Sequence, residues 1–311
     1  MKFWKKAVIA ILLLTTTLAI YLLLNVRHFT IEQVTKDIHI IRGIGGNTTI
    51  LNTNKGTVVV DSMTFKMQGS LIRAKAKELT GKDVVLLINT HYHLDHTHGN
   101  PAFDASTQVV STERTLSHLK ALDASYWQGD DAKLLPNETF NDRRQFDLGN
   151  KTVTLIHPGR GHTDGDLVVL FEEDKILATG DLFFNKHYPF IDLEAGGSVS
   201  HWPATLDSVL ALKFDTVIPG HGETSDRAGL INFQTMIREI GNIANDAINE
   251  NGDLSLKAFL KAHSDHVTSD TGYSIVKFAG IPLGFDREFV LTRAWQEKTQ
   301  NFELKNKATS N

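Results

Sequence analysis

The sequence predicts an α+β fold, a sheet-rich core with helices outside it, on three observations. Short β-branched runs bounded by Gly, Asn and Asp recur along the chain, helical periodicity separates the later of them, and no repeat or low-complexity linker interrupts the sequence after Thr30. The runs, in order, are "NTTILNT", "GTVVVDS", "DVVLLINT", "TQVVST", "KTVTLIHPG", "DLVVLFEE", "KILATGD" and "DTVIPGHG". Each is long enough for one strand and closes on residues that favour turns. Helices are expected at about 65–80, 113–122, 201–212 and 227–249, and the last sixty residues read mostly helical. Early strands follow one another through short turns, whereas helices intervene between later pairs.

The N-terminus reads "MKFWKKAVIAILLLTTTLAIYLLLNVRHF", a basic head followed by an uncharged run of 18 residues from Ala7 to Leu24. That is near the minimum for a bilayer core and longer than a usual secretory apolar region. No small-x-small cleavage site closes it, so residues 1–29 are expected to be an uncleaved signal anchor, with a cleaved signal peptide as the alternative. The lysines at 2, 5 and 6 place the N-terminus in the cytoplasm, and the body is expected on the extracytoplasmic side, membrane-anchored or secreted. Residues 30–311 are expected to form one domain with a helical C-terminal part.

Composition narrows the chemistry. The formal net charge is -4, and removing Lys2, Lys5 and Lys6 leaves -7 on the remainder, which argues against a nucleic-acid partner and for a small-molecule substrate. The chain has no cysteine, so disulfides and thiolate chemistry are both absent. Composition says nothing of oligomeric state.

Against that background the hexapeptide "HYHLDH" at 91–96 is conspicuous. Five expected strands end in a histidine or aspartate of this kind: "DVVLLINT" runs into His91, "KTVTLIHPGRG" into His162, "KILATG" into Asp181, "DTVIPG" into His221 and "GTVVV" into Asp61. Strands running the same way in packed sheets bring such ends to one edge. Gly161, Gly180 and Gly220 each precede a candidate ligand, where a sharp turn or close backbone approach needs the missing side chain. His91 and His93, two apart in an extended segment, share one side, while Asp95 and His96 turn elsewhere toward a second ion. Imidazole with carboxylate suits zinc, with iron or manganese as alternatives. His28, His39, His118, His157, His187, His201, His263 and His266 read as non-ligands, and His98 as a residue supporting the cluster or at its rim.

"HYHLDH", "GHTDGD", "ATGD" and "PGHGE", in this order after a "VVVD" strand, resemble the metallo-β-lactamase superfamily over about residues 38–224. The resemblance implies a four-layer αββα sandwich with a binuclear site at one edge of the two sheets. His91, His93 and His162 would hold the first metal, Asp95, His96 and His221 the second, and Asp181 would bridge them. Asp61 would support the ligand loop from behind. Without cysteine the chain departs from the lactamase subclasses that use one on the second metal. Asp181 separates it from the all-histidine lactamase subclass, His93 from the flavodiiron branch, and the short His162–Asp181 spacing from the nucleases. A glyoxalase II-like or lactonase-like hydrolase is the expectation that remains.

The implied reaction is attack of a metal-bridged hydroxide on an ester, thioester or lactone carbonyl, with two zinc ions per chain and with Asp95 orienting the nucleophile or shuttling its proton. β-Lactamase activity is one alternative. A mononuclear iron persulfide dioxygenase on His91, His162 and Asp181 is another, and a membrane-tethered metal-binding protein without catalysis is the third. Arg160, Lys186, His187 and Tyr188 are candidates to meet an anionic substrate, and "HYPFI" to form a pocket wall, with solvent-facing loop or core positions as the alternatives. The sequence points to no other substrate-binding residue.

Overall fold

A computed structural model of the chain describes residues 2–251 and 254–300. The first sheet is a meander that turns parallel: β1 (Thr30–Gln33), β2 (Ile38–Arg42), β3 (Thr48–Thr53) and β4 (Gly56–Val60) are antiparallel, and β5 (Val84–Ile88), β6 (Gln108–Thr112) and β7 (Glu138–Phe140) follow in parallel. Helices α2 (Lys66–Thr80), the single turn α3 (Leu94–Thr97) and α4 (Glu113–Ala121) lie in the crossovers. The second sheet runs in the order β13-β12-β11-β10-β9-β8, with β8 (Arg143–Asp147), β9 (Thr152–Ile156), β10 (Val168–Phe171), β11 (Ile176–Ala178), β12 (Thr216–Ile218) and β13 (Ser225–Asp226). Only β11 and β12 pair in parallel there, joined across helix α5 (Trp202–Leu210).

Alternation along the strands builds the layers. Ile38, Ile40, Val58, Val60, Leu86 and Ile88 of the first sheet pack against Val153, Leu155, Val169, Phe171, Ile176 and Ile218 of the second, all buried. Their neighbours Ile41, Val59 and Leu87 face the other way, onto Ile72 and Ala76 of α2. Val168, Leu170 and Leu177 face outward onto Trp202 and Leu206 of α5, Phe233 and Ile237 of α6 (Arg227–Asn251), and Val290 of α8 (Arg287–Thr299). A period of two puts alternate residues on opposite faces, so strands apolar on both faces demand a helix layer on each side. The result is the αββα sandwich.

The four expected helices are present within two residues of their expected ends. The C-terminal part is less helical than expected. Besides α7 (Leu256–His263) and α8 it contains a hairpin, β14 (Lys277–Phe278) and β15 (Ile281–Pro282), too short and too mixed in polarity to show a strand period.

Helix α1 (Lys2–Arg27) precedes the first sheet, and its last turns dock on the body through Val26, which packs with Ile44 and Ala279. Among the described residues no helix is long and apolar enough to cross a membrane. The expected span over 7–24 runs partly through positions 8–10, 18 and 19, whose side chains lie outside the described residues.

Candidate metal centre

The strand ends converge as their directions require. β4, β5, β9, β11 and β12 all point toward one edge of the sandwich, so Asp61, His91, His162, Asp181 and His221 arrive together. Two donor groups form there. His91, His93, His162 and Asp181 place one ligand atom each within 4.8 Å of one another, as do Asp95, His96 and His221. The turn α3 separates the hexapeptide into these two halves: His93 caps it in extended conformation, and Asp95 and His96 lie within it.

Hydrogen bonds behind the imidazoles settle which nitrogen faces inward. His162 Nδ1 donates to the Phe190 carbonyl at 2.7 Å, His96 Nδ1 to Asp61 Oδ2 at 2.8 Å, and His93 Nε2 to Asp192 Oδ2 at 3.0 Å. His91 Nδ1 donates to Thr90 Oγ1 at 3.1 Å, and that hydroxyl in turn donates to Asp61 Oδ2 at 2.8 Å. The remaining nitrogens, lone pairs inward, point at one another: His93 Nδ1 lies 3.1 Å from His91 Nε2 and 2.8 Å from His162 Nε2. Acceptors at such distances with their protons elsewhere repel unless a cation lies among them.

Asp181 stands between the halves. One carboxylate oxygen is 3.1 Å from His96 Nε2; the other is 3.4 Å from His221, 3.5 Å from His162 and 3.8 Å from His91. Asp181 Oδ1 and His96 Nε2 are buried polar atoms without a hydrogen-bond partner. Such orphans are costly unless a ligand takes them up, and seven imidazole and carboxylate donors fit divalent zinc.

The halves differ electrostatically. Burial, reinforced by His96 and opposed by Asp181, holds His91 well below the usual imidazole range, and burial pushes His162 down to about 4. Burial acts the same way on His96 and His221, but facing carboxylates override it: Asp181, Asp95 and Asp61 hold His96 well above its ordinary value, and Asp181 with Asp95 raises His221 to about 9. His91 and His162 of the first group are thus held neutral, whereas His96 and His221 of the second hold protons that a cation would displace.

The scaffold admits this geometry only where side chains are missing. Gly180 has φ +50, and a Cβ there would fall 2.3 Å from Thr90 Oγ1; one on Gly220 would fall 2.0 Å from Asp181 Oδ1. Asp61 itself sits at φ 61, a left-handed conformation that Asp tolerates better than most residues, and it takes two hydrogen bonds from Thr90.

Asp192 was not foreseen from sequence. Its Oδ1 accepts from the backbone N–H groups of Glu194 and Ala195, while its Oδ2 takes His93 and the Tyr92 hydroxyl. It lies 99 residues from His93, and its only local signal is that of a helix cap. The expected substrate contacts fall elsewhere: Arg160 bonds His201, Lys186 lies over the Tyr273 ring, His187 bonds Ser274 and Tyr188 bonds Asp270. None of the four lines the metal cavity, although Phe190 of "HYPFI" does. His98 pairs with Asp123 and stacks on Tyr126 rather than supporting the ligands.

His93, Asp95, His162, Asp181 and His221 line a 480 Å³ cavity together with Thr64, Tyr92, Leu94, Phe184 and Phe190, and with Val276, Phe278, Leu283 and Phe285 from the C-terminal part. An αββα sandwich carrying two adjacent His/Asp donor groups at the edge of its sheets defines a metal-dependent hydrolase. The match of residues 41–221 to the metallo-beta-lactamase superfamily places the chain in that family, as a zinc metallohydrolase. It is 27% identical over 220 residues to "Metallo-beta-lactamase type 2" of Bacillus cereus, covering 67% of this chain and 82% of the relative. Among solved structures it is similar to a metallo-beta-lactamase from Pontibacter korlensis, with TM-score 0.59, 21% identity, and coverage of 68% of this chain and 99% of that one. It is also similar to the sec-alkylsulfatase Pisa1 from Pseudomonas, with TM-score 0.69 and 16% identity over 89% of this chain but 51% of the other. The curated relatives with the strongest similarity are metallo-β-lactamases, among them those of Bacillus cereus and Elizabethkingia meningoseptica, rather than members of the expected glyoxalase II branch. The expectation rested on a handful of ligands and their spacing, whereas the similarity extends over 220 residues.

Proposed function

We propose that the chain is a binuclear zinc hydrolase that opens an ester, thioester or lactone carbonyl, exported and held at the extracytoplasmic face by its N-terminal segment. The observation that carries this reading is the Asp181 carboxylate, within 3.8 Å of donors from both groups. Two zinc ions held by His91, His93, His162 and Asp181 and by Asp95, His96 and His221 would supply Lewis acidity and acidify a water at neutral pH.

The chain's own groups do the rest. Asp61, Thr90, the Phe190 carbonyl and Asp192 lock four imidazoles in the tautomer that presents an inward lone pair, so no reorganisation is required during turnover. Asp95 belongs to the second group and also lines the cavity, which suits it to hold or pass a proton at its carboxylate. Phe184, Phe190 and Phe285 exclude bulk water around the reacting carbonyl.

A second reading, hydrolysis of a β-lactam amide, is supported by the relatives, which carry that activity in their names. Against it stands the absence of cysteine together with the presence of Asp181. Metal analysis of the purified chain by elemental mass spectrometry, followed by turnover of lactones, thioesters and β-lactams, tests both. Two zinc ions per chain and carbonyl-ester turnover support the first reading; a preference for β-lactams favours the second. One iron per chain with oxygen uptake on a persulfide would replace both with a dioxygenase.

A further inference from the structure

The geometry points to a lipid-resting mouth: hairpin β14–β15 and helix α1 form one apolar surface around the opening of the metal cavity, whose substrate is an amphiphile with an apolar chain taken from a membrane. This rests on the hydrolase reading for the bond that is cleaved, but the surface and the chain site stand on their own observations.

The first is the wall itself. Val276, Phe278, Leu283 and Phe285 line the cavity together with the ligands, and Phe190 joins Phe285 at 5.0 Å between ring centres. These four C-terminal residues lie beyond the part of the chain that matches the family, residues 41–221, so this wall is an addition particular to the C-terminal region. A long apolar wall recognises hydrocarbon rather than a polar group.

The second is what surrounds the opening. Phe65, Leu94, Ile281 and Leu283, from three separate stretches of chain, are 38%, 49%, 63% and 44% exposed. Leu94 and Leu283 line the cavity, and Phe65 packs edge-on against Phe278. Contiguous exposed apolar side chains around an opening mark an interaction surface rather than scattered surface residues.

The third identifies the occupant. The hairpin turn rests on α1, where the Tyr21 hydroxyl donates to the Ala279 carbonyl at 3.2 Å and Leu22 and Val26 pack with Ala279 and Phe278. α1 in turn exposes Leu12, Leu13, Leu14, Ile20, Leu23 and Leu24, and the sequence of its first turns carries Lys2, Lys5 and Lys6. An apolar helix with a basic head is the chemistry of a lipid surface, whether such a helix lies in the interface or enters it more deeply. Lys277, exposed on the hairpin and lining the cavity, is placed to meet the anionic or polar end of the same amphiphile. A hydrocarbon chain leaving lipid thus passes from one apolar environment to another and does not cross water.

The full chain has no cysteine, so Ile281→Cys introduces a unique labelling site for an environment-sensitive fluorophore. With zinc-loaded full-length protein on phospholipid vesicles, the label is expected to shift to the blue and to be quenched by nitroxide lipids, while a label at Ser208→Cys on the exposed side of α5 stays in water. An Ile281 label that reports water in the presence of vesicles overturns the surface. In parallel, calorimetric binding of straight-chain carboxylates is expected to tighten about threefold to fourfold for each added methylene, and Leu283→Asp to flatten that slope at unchanged zinc content. Affinity independent of chain length overturns the substrate class. If the label is buried and the slope holds but no carbonyl ester is turned over, the hydrolase reading fails and this inference stands; if short esters are hydrolysed with neither signature, the reverse is true.

Discussion

Asp192 and Asp181 act on the metal centre in different ways, and their substitutions separate positioning from ligation. Among the metal-ligand candidates Asp192 bonds His93, through its Nε2, so Asp192→Asn leaves every ligand in place and loosens one. The expected outcome is a 10- to 100-fold loss in zinc affinity or activity, typical of the group behind a ligating histidine, read from competition with a colorimetric chelator. Asp181→Ala removes a shared donor, and the expectation is a folded protein with one weakly held metal; two tightly held metals with full activity would refute the bridging role. At this scale most of the centre was legible beforehand. His91, His93, Asp95, His96, His162, Asp181 and His221 stand in motifs at the ends of apolar runs, where their clustering is visible without coordinates. Asp192 was not, because its partner is 99 residues away and nothing in "DLEAGG" speaks of a histidine.

At the scale of the element, the strand-to-loop turns decide whether the ligands meet. Gly220 follows β12 and brings His221 against Asp181 with no space for a methyl group, since a Cβ would sit 2.0 Å from the Asp181 carboxylate. Gly220→Ala is therefore expected to keep the far-ultraviolet circular dichroism spectrum and lose at least one metal equivalent; a variant that binds two zinc ions as before would show that the turn yields freely. The long elements were predictable because their periodicity is carried by many residues, as in β4, β5 and α6. β14 and β15 are two residues each, and no period can be read from two residues. That is why the cavity wall at 276–285 was invisible while the metal floor was not.

Across the whole molecule, the two sheets are tied at the edge formed by the β1–β2 and β10–β11 turns, where Lys151 bridges Asp37 at 3.1 Å and Asp174 at 2.7 Å. Burial alone would lower the lysine pKa, but the two carboxylates raise it above its ordinary 10.5. A raised lysine stabilises the fold fully below the unfolded-state value and loses that contribution as pH rises through the folded one. Lys151→Met, which leaves both carboxylates unpaired, is expected to cost about 3 kcal/mol at neutral pH, with the gap from the parent chain narrowing above pH 10.5 in thermal denaturation. Stripping zinc with a chelator is expected to lower the melting temperature, because a ligand held at 1,000 times its dissociation constant contributes about 4 kcal/mol; an unchanged melting curve would show that the centre folds without its ions.

The layered α+β core, the donor set and the absence of thiol chemistry follow from periodicity and residue type, which act locally and repeat along the chain. Which imidazole nitrogen faces inward, the places of Asp192 and Thr90 behind the ligands, and the C-terminal hairpin that rests on the N-terminal helix and walls the cavity are set by packing. Those are contacts between segments far apart in the chain, each made by one or two residues, and such contacts exist only once the sheets have packed.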